Sequence, residues 1–184
     1  YNWTTAAGMA ASLDRTNISN TNIFLSPSNS VFPYPQPVVQ TIMTRGLVTG
    51  SKTAVLDGGS QFLYSVTFYD DKGRVIQTQT TNLEGTDKVT MQYGWSGMLL
   101  RSYYEQQKTT GRTQEHGVLT KMNYAHMGRL QSVSKKINSS ISTSSSPVVI
   151  NGVEKTVATF TYNELGQLVN KKIGINPSTN EELE

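Results

Sequence analysis

The chain contains no cysteine in its 184 residues, which excludes disulfides, thiol nucleophiles and thiolate metal sites. Charge is also scarce: 16% of residues are charged and 36% hydrophobic, both low for a globular domain. Serine, threonine, asparagine and glutamine make up the difference, which suits polar-surfaced strands better than a helical bundle. There is no long apolar run and the mean hydropathy is -0.39, so no membrane-spanning helix is expected. The net charge of +3 and pI near 9.1 come from scattered Lys and Arg. Nucleic-acid binding would need a clustered basic stripe, and none is present. Histidine is limited to His116, in a polar linker, and His126, in a turn, so neither a metal site nor a cofactor is expected. No signal peptide is visible, and the chain begins at Tyr1 rather than Met, as expected of an excised segment or a processed product.

What the sequence does contain is an internal repeat. Tyr69 stands four residues before Gly73, and the same spacing separates Tyr93 from Gly97, Tyr124 from Gly128 and Tyr162 from Gly166. Two residues beyond each glycine is an aliphatic residue: Val75, Leu99, Leu130 and Leu168. A strand reaching the tyrosine, a reversal closed by a positive-φ glycine and a departing strand that carries the aliphatic residue account for this spacing. Asp70 and Asn163 head two of the turns and can bond the backbone ahead of them, whereas Gly94 and Ala125 replace them in the other two. A lone hairpin is marginal in water, so the four should pair with one another.

At these residues the chain resembles the YD repeats of bacterial Rhs-type proteins and of the related teneurins, whose signature is Tyr-Asp-x-x-Gly-Arg-Leu. Tyr69-Asp70-Asp71-Lys72-Gly73-Arg74-Val75 departs from it only in valine for leucine. The third copy keeps Tyr124, Gly128, Arg129 and Leu130 but has Ala125 for the aspartate. The fourth has Asn163 and Gln167 for Asp and Arg, and the second, Tyr93 to Leu99, is the most degenerate. The resemblance covers about residues 61 to 174. It implies a structural segment, not an enzyme, in a secreted or cell-surface bacterial protein. In such a protein, long runs of hairpins wind a shell around a variable, often toxic, C-terminal segment. The implied partners are flanking repeats of a parent chain. The family's plug and self-cleavage motifs have no match in Asn176 to Glu184.

Taken in order, residues 1–60 read as an irregular lead-in with short strands. Ala6 to Ala11 suggest a short helix that Gly8 weakens. Ile23-Phe24-Leu25 is expected as a strand, and Pro33, Pro35 and Pro37 as an extended crossing or edge segment, since proline lacks the amide donor of a central strand. Val38 to Met43 is β-rich in composition. Gly46 to Thr53 comes near a phosphate-binding loop, but its lysine follows Ser51 rather than a glycine, and Gly58-Gly59 leave little room for the required helix. A glycine turn followed by a strand over Thr53 to Leu56 is the expectation instead. Residues 61–174 form the repeat region. Val66, Phe68 and Tyr69 place apolar residues on both faces of the first hairpin, so both should be partly covered. Val89, Met91 and Tyr93 share one face, as do Met122 and Tyr124. Thr109 to Gly117 is expected as a polar connection and Asn138 to Ser146 as a mobile loop. Asn151-Gly152, flanked by Val148-Val149-Ile150 and Val153, predicts a tight hairpin. Residues 175–184 read as a flexible tail.

Catalytic signatures are weak. Gly94-Trp95-Ser96-Gly97 falls one residue short of a nucleophile elbow. Asp70-Asp71, as neighbours in a turn, point apart rather than across a substrate. Exposed aromatics offer one functional alternative: Trp95, Tyr103 and Tyr104, with Tyr34, form a candidate glycan platform, although aromatic cross-strand packing explains the strand tyrosines equally. The expected fold is therefore all-β, with tandem antiparallel hairpins in a twisted, curved sheet whose exposed edges favour self-association. The expected function is a non-catalytic wall segment, and the alternative is a surface carbohydrate-binding module.

Overall fold

The computed structural model describes residues 12–56, 61–142 and 146–174. The expectations for Ala6 to Ala11, Gly58-Gly59, the centre of the serine run and the tail lie outside the described residues. Ten antiparallel strands form one open sheet: β1 (Gly50–Ala54), β2 (Phe62–Tyr69), β3 (Val75–Thr81), β4 (Gly85–Tyr93), β5 (Leu99–Lys108), β6 (Gln114–Tyr124), β7 (Leu130–Ile141), β8 (Val148–Asn151), β9 (Lys155–Tyr162) and β10 (Leu168–Ile173). The all-β expectation holds. Incoming strands β2, β4, β6 and β9 end on the four repeat tyrosines, and outgoing strands β3, β5, β7 and β10 start on the four aliphatic residues. Consecutive hairpins pair edge to edge in the order β1 to β7, then β9 and β10, with β8 alongside β7.

Each hairpin contains a second irregularity. The register slips by one residue just inside each tyrosine, leaving Ile76, Leu100, Gln131 and Val169 as the extra residues. A bulge bends its strand and redirects a side chain. In the first two repeats that side chain is fully buried, with Ile76 2% and Leu100 0% exposed. In the last two, Gln131 and Val169 face solvent.

The difference lies in the lead-in, which packs on the first two repeats. Leu13 and Val38 from the lead-in join Phe68 and Ile76 in a buried cluster, with Ile18, Val66 and Tyr93 at its border. Phe68 and Tyr69 are both buried, so both faces of the first hairpin are covered as expected. Two buried glutamines hold the lead-in by its backbone. The Gln77 side chain accepts from the Asp14 N–H at 2.9 Å and donates to the Asp14 carbonyl at 3.0 Å. Gln92 does the same at Leu25, at 2.8 and 2.7 Å. A primary amide has the donor and acceptor of a peptide unit, so each glutamine acts as a short strand edge that reads one lead-in residue.

Several local expectations are corrected. Ile23-Phe24-Leu25 is turn and coil rather than strand; Phe24 is buried, but the segment's amide needs are met by a turn to Asn20 and by Gln92. Val38 to Met43 is likewise coil. The strand expected at Thr53 to Leu56 is β1, shifted to start at Gly50, because its partner residues in β2 run from Phe62 to Val66. Strand β6 begins at Gln114, so the polar connection shrinks to residues 109–113. Asn138 to Ile141 is not loop but the far end of β7, paired with β8. Asn151-Gly152 is no hairpin turn: β8 and β9 both pair with β7, and Gly152 is the kink between them, its N–H bonded to the Ile137 carbonyl. A Cβ at Gly152 would run into that carbonyl, so glycine is required here for close approach rather than for positive φ.

Candidate functional site: the interlocked turns

The four repeat turns line up along one end of the sheet and share one design. The residue after each tyrosine bonds the residue after each glycine through N–H to carbonyl, as Asp70 to Arg74, Gly94 to Met98, Ala125 to Arg129 and Asn163 to Gln167. The four glycines all have positive φ, between 73° and 91°, the left-handed conformation expected of them. In the first turn the Asp70 carboxylate accepts from the Lys72 and Arg74 amides at 3.0 and 2.9 Å and pairs with Arg74 Nε at 2.6 Å. Asn163 builds a neutral version, accepting from the Gln167 N–H at 2.8 Å and donating to its side-chain oxygen at 2.9 Å.

Each tyrosine hydroxyl donates to a backbone carbonyl outside its own hairpin. Tyr93 reaches Val75 at 2.9 Å, Tyr124 reaches Leu99 at 3.0 Å and Tyr162 reaches Leu130 at 2.8 Å. In every case the acceptor is the repeat aliphatic residue of the preceding hairpin. Tyr69, with no preceding repeat, uses the lead-in carbonyl of Val48 at 2.7 Å. In the first three turns the residue after the glycine completes the lock by lying toward the next turn. Arg74 donates to the Gly94 carbonyl at 3.0 Å with its guanidinium 4.8 Å from the Tyr93 ring centre. Met98 Sδ sits against Gly128, and Arg129 lies 5.4 Å from the Tyr162 ring centre and covers Gly166. Burial pushes the Tyr93 and Tyr124 phenols above their ordinary pKa, so both stay protonated donors.

The sequence motif residues are thus all brought together, as a chain of contacts rather than a pocket. Asp70 is occupied within its own turn. His116 bonds Ser139 and Gln114 on β6–β7, whereas His126 stacks on Phe32 at 4.6 Å, so the two are engaged separately. Among the described residues no group of His, Asp and Glu could hold a metal. Of the candidate platform residues, Trp95 lies beside Tyr34 but not with Tyr103 and Tyr104. Trp95 is in the second turn, and Tyr103 and Tyr104 point to opposite faces of β5, with Tyr103 lying over Gly117. An aromatic ring over a strand glycine replaces the packing that glycine lacks.

One ionic cluster, missed from sequence, ties the lead-in to the sheet. Lys88 Nζ sits 2.5 Å from Asp14 and 2.9 Å from buried Glu105, which also accepts from Asn17 at 2.6 Å. Burial works to raise the Asp14 carboxyl, but hydrogen bonds from Lys88 and Thr16 outweigh it and hold the pKa at about 2. Burial raises Glu105, against the pull of Lys88.

No protein-family model, curated protein or solved structure matches the chain.

Proposed function

We propose that this chain is a non-catalytic wall segment of a secreted or cell-surface protein of the bacterial Rhs, YD-repeat type. It supplies hairpins to a shell around a C-terminal, toxin-like segment. The tyrosine ladder carries this reading. It joins each hairpin to the one before through a hydroxyl, a carbonyl and a stacked side chain, a scheme that extends by repetition without redesign. The lead-in agrees with it, since beyond the first hairpin it leaves a face open: the row Val89, Tyr104, Val118 and Ile137, direct cross-strand partners on the face away from Lys88 and Glu105, is only partly covered. A wall presents such a surface to contents or neighbours. The flanking repeats of the parent chain are its natural partners. Strands β1 and β10 blunt their edges with Lys52 and with Lys171 and Lys172, whereas β8, paired only with β7, leaves an uncharged edge bearing exposed Val148, Val149 and Ile150, which is where self-association would occur.

The test is electron microscopy of the parent polypeptide together with protease protection of its C-terminal segment. The expected result is a closed particle with a protected segment. An extended array whose terminal segment is cut at once overturns the reading. A second reading, a surface-exposed carbohydrate-binding β module, is favoured by one observation: exposed aromatic side chains border a cleft at the turn end of the sheet.

A further inference from the structure

Beside the second turn lies an open cleft of about 470 Å³ lined by Asn29, Tyr34 and Trp95. Its size falls within the range of small-ligand sites. Trp95 is 63% and Tyr34 40% exposed.

The cleft is built rather than incidental. Tyr34 has φ 55°, a conformation that a bulky residue adopts only under constraint. The constraint is visible: the Tyr34 N–H bonds the Val31 carbonyl at 2.8 Å, and the Tyr34 carbonyl accepts from the Trp95 N–H and from Gln36 Nε2, both at 3.0 Å. The same Gln36 amide donates to Asn29 Oδ1 at 3.0 Å. Hydrogen bonds therefore tie these three described lining residues into one unit. The Tyr34 ring leans edge-on against Phe32, which rests on His126 of the third turn.

The chemistry of the lining selects the ligand. The indole N–H of Trp95, the hydroxyl of Tyr34 and the Asn29 amide nitrogen make no hydrogen bond to a described residue. Among the described residues no carboxylate lines the cleft, and Lys72 is engaged over the Trp95 ring at 3.8 Å. An uncharged ligand with one apolar face and several oxygen acceptors fits these groups. We propose that the Asn29, Tyr34 and Trp95 cleft binds a neutral pyranose ring. The C–H face of the sugar stacks on exposed aromatic surface, and its hydroxyl oxygens accept from the three donors. This rests on the second reading above and is independent of the wall reading.

The test is fluorescence titration of the Trp3→Phe variant, in which Trp95 is the sole tryptophan. The probes are malto-, cello-, chito-, xylo- and mannohexaose, with decaproline as the peptide control. The expected result is saturation by at least one hexaose. Trp95→Ala, followed calorimetrically, and Tyr34→Gly, which tolerates the positive φ, should each weaken binding about tenfold or more with the melting temperature nearly unchanged. Undiminished sugar binding in both variants would overturn this site yet leave the carbohydrate-module reading standing. If no hexaose saturates, both are overturned, and saturation by decaproline alone would reassign the cleft to peptides.

Discussion

At the residue scale, the repeat tyrosine serves as a hydrogen-bond donor as well as an apolar surface. Tyr124→Phe keeps the ring and strands the Leu99 carbonyl, so we expect a loss of about 1 kcal/mol in urea unfolding. Equal unfolding midpoints for variant and parent would show that the ladder is incidental. Gly73→Val places a β-branched side chain at φ 73°, with an expected loss above about 1 kcal/mol, and a thermal melt checks it. Open space surrounds Gly73, so backbone strain alone is measured there. The ionic cluster gives a pH prediction. Asp14 has its pKa lowered from 3.8 to about 2, so its stabilisation is complete above about 3.8 and is lost as pH falls through about 2. Glu105, raised by burial, works the other way, since ionising it costs stability as pH rises past 4.5. Asp14→Asn should therefore flatten the acid limb between about pH 4 and 2 and cost about 1 kcal/mol at neutrality, after allowance for solvent screening. Urea midpoints across that range are the check, and an unaltered acid limb would place the sensitivity elsewhere.

At the scale of elements, the lead-in before β1 is held by buried side-chain amides together with a few backbone bonds to the first two turns. Gln92 is fully buried and its amide satisfies both the N–H and carbonyl of Leu25 and approaches the Gln36 carbonyl at 3.2 Å. Gln92→Leu has similar bulk but leaves those groups without partners, at an expected cost of about 2 to 3 kcal/mol. Amide exchange at Leu25 should accelerate more than exchange in β4 itself. Equal acceleration at both places would mean that the glutamine supports the sheet rather than the lead-in. The prolines fit the same logic. With Pro33, Pro35 and Pro37 lacking donors, the intervening Tyr34 and Gln36 amides are both used, the latter on the Tyr93 carbonyl.

At the scale of the whole molecule, the sheet is an open array with one capped end. The lead-in packs on the bulge residue Ile76, Leu100 of the second hairpin is fully buried, and Val169 of the last faces solvent. Stability in such arrays is a sum of units and their interfaces. Native-state hydrogen exchange should therefore show protection highest in β3 and β4 and lowest in β9 and β10. Uniform protection would indicate a single cooperative unit and count against hairpin-by-hairpin assembly.

The repeat spacing alone determined the hairpins, their order and their ends. Tyrosine, a positive-φ glycine and an aliphatic residue at fixed offsets are local demands, met within each turn's own backbone. Even there the hydroxyl's role was legible only as a question, namely why tyrosine and never phenylalanine stands at Tyr69, Tyr93, Tyr124 and Tyr162. Tertiary structure decided the rest. The Asn151-Gly152 turn signal lost to pairing of β8 and β9 along a single long β7, because two more stretches of ladder bonds outweigh one favourable turn. Gln77 and Gln92 carry no local mark of their partners in the lead-in, 63 and 67 residues away in sequence. Tyr34 and Trp95 were legible only as two of four exposed aromatics, and it is the lead-in folding back across the second turn that joins them, with Asn29, and leaves out Tyr103 and Tyr104. Such contacts join residues whose only common property is complementarity in space, and no periodicity in the chain records it.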